Sequence, residues 1–124
     1  MKRPFFLAAS VLGFFSIALG AFATHALKNV ISASGLVVFE LAVRYQMYHA
    51  LALLGVALVP PANQSRWLTW AGWLWVGGTL IFSVSLYLLA ITGWTMLGAI
   101  TPVGGMLLLA GWLCLIVSAF KGQD

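Results

Sequence analysis

Acidic side chains are nearly missing from this sequence: Glu40 and Asp124 are the two carboxylates in 124 residues. No second acid lies inside the apolar part of the chain, and neither a Ser-His-acid arrangement nor a glycine-rich phosphate loop after a strand is legible. Catalysis is therefore not expected, and no cofactor is called for. Cysteine is as scarce. The single Cys114 excludes an internal disulfide framework and any Cys-pair zinc motif, and its place in an apolar run points to packing. The six Lys and Arg residues are scattered singly, so the clustered basic footprint of a nucleic-acid binder is absent. No repeat is strong enough to mark an inverted-repeat transporter.

What the chain has in excess is apolar sequence. With 63% hydrophobic and 6% charged residues it lies far outside the balance of a soluble domain. Its length makes a single domain, 1–124, whose main solvent and partner is the lipid bilayer. About 20 apolar residues let a helix cross a hydrocarbon core of roughly 30 Å, and four such stretches are expected, over about 4–26, 40–59, 67–91 and 97–120. The first is too long for the apolar region of a secretory signal peptide, although Lys2-Arg3 and Ala21-Phe22-Ala23 imitate one. Its small residues Ala9, Gly13, Ser16, Gly20 and Thr24 recur at three- and four-residue spacing, a stripe suited to close helix packing.

Lys28 to Phe39 reads as a mildly polar connector, with Ser34 placed to cap the second helix, and Pro60-Pro61 ends that helix. Trp67, Trp70, Trp73 and Trp75 beside Arg66, with Trp94 at the far end, suit indoles at headgroup level; for Trp73 and Trp75 deeper packing is the alternative. Pro102 either occupies the first turn of helix four, where a missing N–H costs little, or kinks the helix and frees a carbonyl near Gly98.

The expected fold is an all-α membrane protein of four transmembrane helices in an antiparallel bundle. Lys2, Arg3, Arg66 and Lys121 on one side outweigh Lys28, and Arg44 near it, on the other, so positive-inside counting predicts an N-in/C-in topology. In that topology the polar residues fall mostly in the outer half. His25 ends helix one there, Glu40, Arg44, Tyr45, Tyr48 and His49 begin helix two, Tyr87 closes helix three and Thr101 opens helix four. Pro102, Gly104 and Gly105 form a candidate helix break beside this candidate binding cluster.

On helix two, Glu40, Arg44 and Tyr48 lie within about 80° of one another, Tyr45 and His49 form a neighbouring stripe, and His49 is about 140° from Arg44. The four-residue spacing predicts an ion pair between Glu40 and Arg44, which would offset the cost of a lone charge at bilayer depth, roughly 3 kcal/mol or more. Such a pair reads as a structural clamp or as a gate. His49 reads either as held by a neighbouring Tyr, Ser or carbonyl or as proton-linked. His25, Glu40 and His49 could surround a metal, but no close-spaced ligand pair supports one and none is assigned.

Three segments carry a family resemblance: Gly20 to Lys28 with His25 at its centre, Ala42 to Leu51 with Arg44-Tyr45-Gln46-Met47-Tyr48-His49, and Gly78 to Ser83 continued by Leu97 to Gly105. Over most of its length the chain resembles the small membrane family called domain of unknown function 423, or uncharacterised protein family 0382, which includes the eukaryotic transmembrane protein 256. The resemblance implies a multi-pass protein of the bacterial inner membrane and implies no enzyme activity, substrate or cofactor. The preferred expectation is a binding or translocation unit for a small solute, ion or proton, with Arg44, Tyr48 and His49 lining an outward vestibule. The alternative is a non-catalytic structural or lipid-interacting protein, with a homo-oligomer or a larger membrane complex as its setting.

Overall fold

Capping groups and prolines decide where the helices begin and end. In the computed structural model, which describes residues 1–121, α1 runs Arg3–His25 with Pro4 in its first turn, where proline leaves no needed donor missing. A single 3-10 turn, Leu27–Asn29, leads to Ser32, whose Oγ accepts from the Gly35 N–H at 3.0 Å and caps α2, Ala33–Ala57. The cap is Ser32, not Ser34, and α2 starts well before Glu40. The run read as a connector is helical because this cap satisfies a free donor and Leu36 to Phe39 then supply apolar surface. Gly35 lies so close to α3 that a Cβ there would meet the Ala90 carbonyl at 2.9 Å.

Pro60 stops α2, and a 3-10 turn, Pro61–Asn63, follows. Gln64 reaches back, its Nε2 donating to the carbonyls of Val56 at 3.2 Å and Val59 at 2.9 Å, which occupies acceptors that a helix end leaves free. α3, Arg66–Thr92, is capped by Ser65 and ends at Gly93, whose φ of +71° is the left-handed conformation that glycine adopts without a Cβ clash. α4 is Leu97–Lys121.

Pro102 lies inside α4, beyond its first turn, and the helix runs unbroken through Gly104 and Gly105. The expected helix break is therefore not formed. So near the N-terminus proline removes one bond, to the Gly98 carbonyl, while the turn before it is closed by the Leu97, Gly98 and Ala99 N–H groups on Trp94, Thr95 and Met96. Gly104 serves packing instead: a Cβ there would overlap the Phe82 backbone of α3.

α1 packs on α2, α2 on α3 and α3 on α4, whereas α1 and α4 share no packed interface. Consecutive helices run in opposite directions. The Lys2 N–H donates to the Ala57 carbonyl at 2.9 Å, the Cβ position of Gly13 meets Ala50, and that of Gly20 meets Val43. The small-residue stripe of α1 is thus the surface that receives α2. On the other side, Gly78 faces Leu108 and Gly111 faces Trp75. The array is open, with α2 and α3 in the middle. Fully buried Trp75 centres the main apolar core together with Phe5, Leu53, Ala71 and Leu108, and Cys114 packs against that core. α1, α3 and α4 are long and apolar enough to cross a membrane. α2, which carries the polar stretch, falls short by composition although it lies between two helices that qualify.

Candidate functional site

α2 and α4 both lean on α3 but leave a groove between them. Its wall is Tyr45 and His49 from α2, Phe82 from α3, and Pro102, Gly105, Met106, Leu108, Leu109 and Trp112 from α4, and its volume is about 530 Å³. A smaller hollow of about 280 Å³ continues along the same seam past Ala52, Val56, Leu68 and Leu115. Trp112 borders both and divides them. Tyr45, Met106, Leu109 and Trp112 are all exposed at the groove, so it opens sideways onto the surface that α1, α3 and α4 present at bilayer depth.

His49 holds the partition. It is 4% exposed, its Nε2 lies 3.0 Å from the indole N–H of Trp112, and its Nδ1 lies 2.7 Å from the Tyr45 carbonyl. An indole N–H only donates and a carbonyl only accepts, so Nε2 is the acceptor, Nδ1 carries the proton and the ring is neutral with both nitrogens satisfied. Trp75 and Trp112 pack with ring centroids 4.7 Å apart, each about 6 Å from the imidazole. The Trp75 indole N–H, also buried, has no hydrogen-bond partner among the described residues. Tyr45 stacks on Phe82 at 4.8 Å.

Away from the groove, polar side chains tie helix to helix. Gln46, 5% exposed, donates from Nε2 to the Leu12 carbonyl of α1 at 2.9 Å and accepts at Oε1 from the Tyr87 hydroxyl of α3 at 2.6 Å. The Ser83 hydroxyl donates to the Ala42 carbonyl at 2.9 Å, and Ser85 and Thr101 share a hydrogen bond of 2.7 Å between α3 and α4.

The residues expected to form one outer cluster are therefore dispersed. Tyr45, His49, Pro102 and Gly105 come together at the groove. Tyr87 and Thr101 are helix ties. His25, Arg44 and Tyr48 are exposed and Glu40 is half-buried. No ion pair joins Glu40 to Arg44 among the described residues. His49 follows Tyr48 and precedes Ala50, which meets Gly13 near the middle of α1, so it lies at mid-depth and not in the outer half. His25, Glu40 and His49 do not converge, and no cluster of three metal-ligating side chains occurs among the described residues. Sequence reasoning passed over Gln46, an amide inside an apolar helix whose isolation was the available signal, and Phe82, Met106 and Trp112, which read as ordinary apolar positions.

Residues 19–105 match the family model described as "Protein of unknown function (DUF423)", a range that takes in the α2 wall of the groove and α4 as far as Gly105. A UPF0382 membrane protein of Staphylococcus haemolyticus is 44% identical over 119 residues, covering 96% of this chain and 97% of the relative. A UPF0382 membrane protein of Haemophilus influenzae is 40% identical over 100% of this chain and 99% of its own. The UPF0382 inner membrane protein YgdD of Escherichia coli is 36% identical over 97% of this chain and 92% of its own. No solved structure matches the chain.

Proposed function

The chain belongs to the DUF423 family of membrane proteins, whose biochemistry is unassigned, and from that premise we propose that it is a non-catalytic binding protein of the bacterial inner membrane. Its ligand is an amphiphile whose apolar chain lies between α2 and α4. The observation that carries this reading is the sideways-opening groove of about 530 Å³, walled almost wholly by apolar side chains at a depth where the surrounding solvent is hydrocarbon. A concave apolar site with few polar groups is the usual form of a ligand pocket. The Tyr45 hydroxyl, which makes no hydrogen bond within the described residues, is the polar group free to meet the ligand, since both nitrogens of His49 are engaged.

The proposal includes four membrane spans with both termini inside. Lys2 bonds Thr69, and the cations of Arg66 and Lys121 lie over the Trp67 ring, which gathers the basic residues at one end as positive-inside sorting requires. In this reading α2 crosses because its buried polar groups, Gln46 and His49, are turned to α1, α3 and α4. A protomer this small is expected to work within an assembly, a homo-oligomer or a larger membrane complex.

The groove is tested by filling it. A Cβ on Gly105 would meet Phe82 at 3.8 Å, an ordinary contact, so Gly105→Leu places a side chain in the groove without disturbing the backbone. Native mass spectrometry and lipid extraction of the purified protein are expected to find a bound amphiphile on the wild type and to lose most of it in Gly105→Leu at unchanged thermal stability. Equal retention by both proteins would overturn the reading. The solute- or proton-translocation alternative gains nothing from the dispersed positions of Arg44, Tyr48 and His49.

A further inference from the structure

One face of α2 remains unaccounted for. Val37, Tyr48 and Leu51 are 63%, 52% and 60% exposed, Arg44 and Gly55 are exposed and Glu40 is half-exposed, and all six fall on one stripe of the helix. The stripe runs nearly the full length of α2 and points away from α1, α3 and the larger groove, and only Gly55 at its far end borders the smaller hollow. It is not a lipid-facing surface like those of α1 and α4, because Glu40 and Arg44 stand on it one turn apart with no ion pair between them among the described residues. Arg44 is also well inside the array. Its neighbour Val43 meets Gly20 at 3.5 Å, which puts Arg44 roughly 8 Å below the level where α1 ends at His25. Glu40, four residues nearer the start of α2, lies about 6 Å closer to that level, and an unpaired cation at the depth of Arg44 calls for a polar partner.

We propose that this stripe is where two copies of the chain meet, related by a two-fold axis along the membrane normal, with Arg44 of each copy paired to Glu40 of the partner subunit. Copies inserted with the same topology bring α2 against α2 in parallel. The long arginine side chain leans toward the helix N-terminus, toward the level of Glu40 of the partner subunit, and the two-fold makes the pair twice. An anionic lipid headgroup would satisfy Arg44 but would be repelled by Glu40 one turn away; a second copy satisfies both, because the stripe carries each sign once and is complementary to itself. Nearer the other end, no atom lies within 4 Å of the Cβ position of Gly55, so the two helices can approach closely where the charges give out. The larger groove, which carries the ligand reading, is lined by none of these six residues and stays open, so the proposal is independent of that reading.

The test uses the full-length protein in lipid nanodiscs. Glu40→Arg makes the stripe wholly basic and Arg44→Glu makes it wholly acidic, so each variant alone is expected to dimerise at least about tenfold more weakly than the wild type. Mixing the two, each with its own tag, is expected to restore association as heterodimers. Pairing within one helix or snorkelling to the surface cannot produce that rescue in trans. A second measurement leaves the charges in place: in a Cys114→Ser chain, Leu51→Cys should form an intermolecular disulfide in membranes on mild oxidation, and Leu109→Cys on the outer face of α4 should not. A monomeric wild type, equal cross-linking at both positions, or no recovery on mixing would each overturn the proposal. So would retention of an anionic lipid by a monomer that Arg44→Glu abolishes.

Discussion

At the scale of single residues, the buried polar groups divide into those that hold helices together and those that hold nothing. Gln46 binds α1 through the Leu12 carbonyl and α3 through the Tyr87 hydroxyl. Gln46→Leu is expected to strand the tyrosine hydroxyl and to lower stability by about 1–2 kcal/mol, measurable by unfolding in mixed detergent. Thr79 is 2% exposed with a hydroxyl unpaired among the described residues, so Thr79→Val, which keeps the shape and removes that group, should leave stability unchanged or raise it by up to about 1 kcal/mol. Nitrogen NMR of the His49 imidazole should find the Nδ1–H tautomer, and Trp112→Phe should keep that tautomer, because the Tyr45 carbonyl still accepts from Nδ1–H, while shifting the Nε2 resonance as it loses its donor. The histidine was legible as a group that must be held. Its holder was not, because Trp112 lies sixty-three residues away in the chain and nothing in a lone indole advertises the partner of its N–H.

At the scale of elements, helix spans follow from apolar length and from proline, and α1, α3 and α4 lie close to where the sequence puts them. The start of α2 was misread for a local reason: Ser34 and Gly35 look like loop residues, while Ser32 is the one in extended backbone that can cap, and Gly35 is there to admit α3. Gly104 was misread in the same way, as a break in the helix and not as a point of contact. The glycines can be told apart by substitution. Gly104→Ala overlaps the Phe82 backbone and should cost about 1–3 kcal/mol by parting α3 from α4. Gly77, in the same helix pair but with nothing within 4 Å of its Cβ position, should gain roughly 0.5–1 kcal/mol as Gly77→Ala.

At the scale of the molecule, the class of protein was legible in composition alone, since few charges and long apolar runs admit one kind of solvent. The arrangement was not, because four antiparallel helices of similar length can close into a ring or stay open, and contacts between distant helices decide which. Reporter fusions at both termini and in the loop before α2 are expected to place the termini on the cytoplasmic side and the Lys28 loop on the opposite one. The missing α1–α4 interface bears on how the protein is made. Each helix finds its main partner in the one synthesised just before it, so the chain can assemble in the membrane in the order in which it leaves the ribosome, and no early helix waits exposed for the last to close a ring. Only the groove must wait, because its second wall and the tryptophan that divides it arrive with the final segment, and the cavity is the last feature the nascent protein acquires.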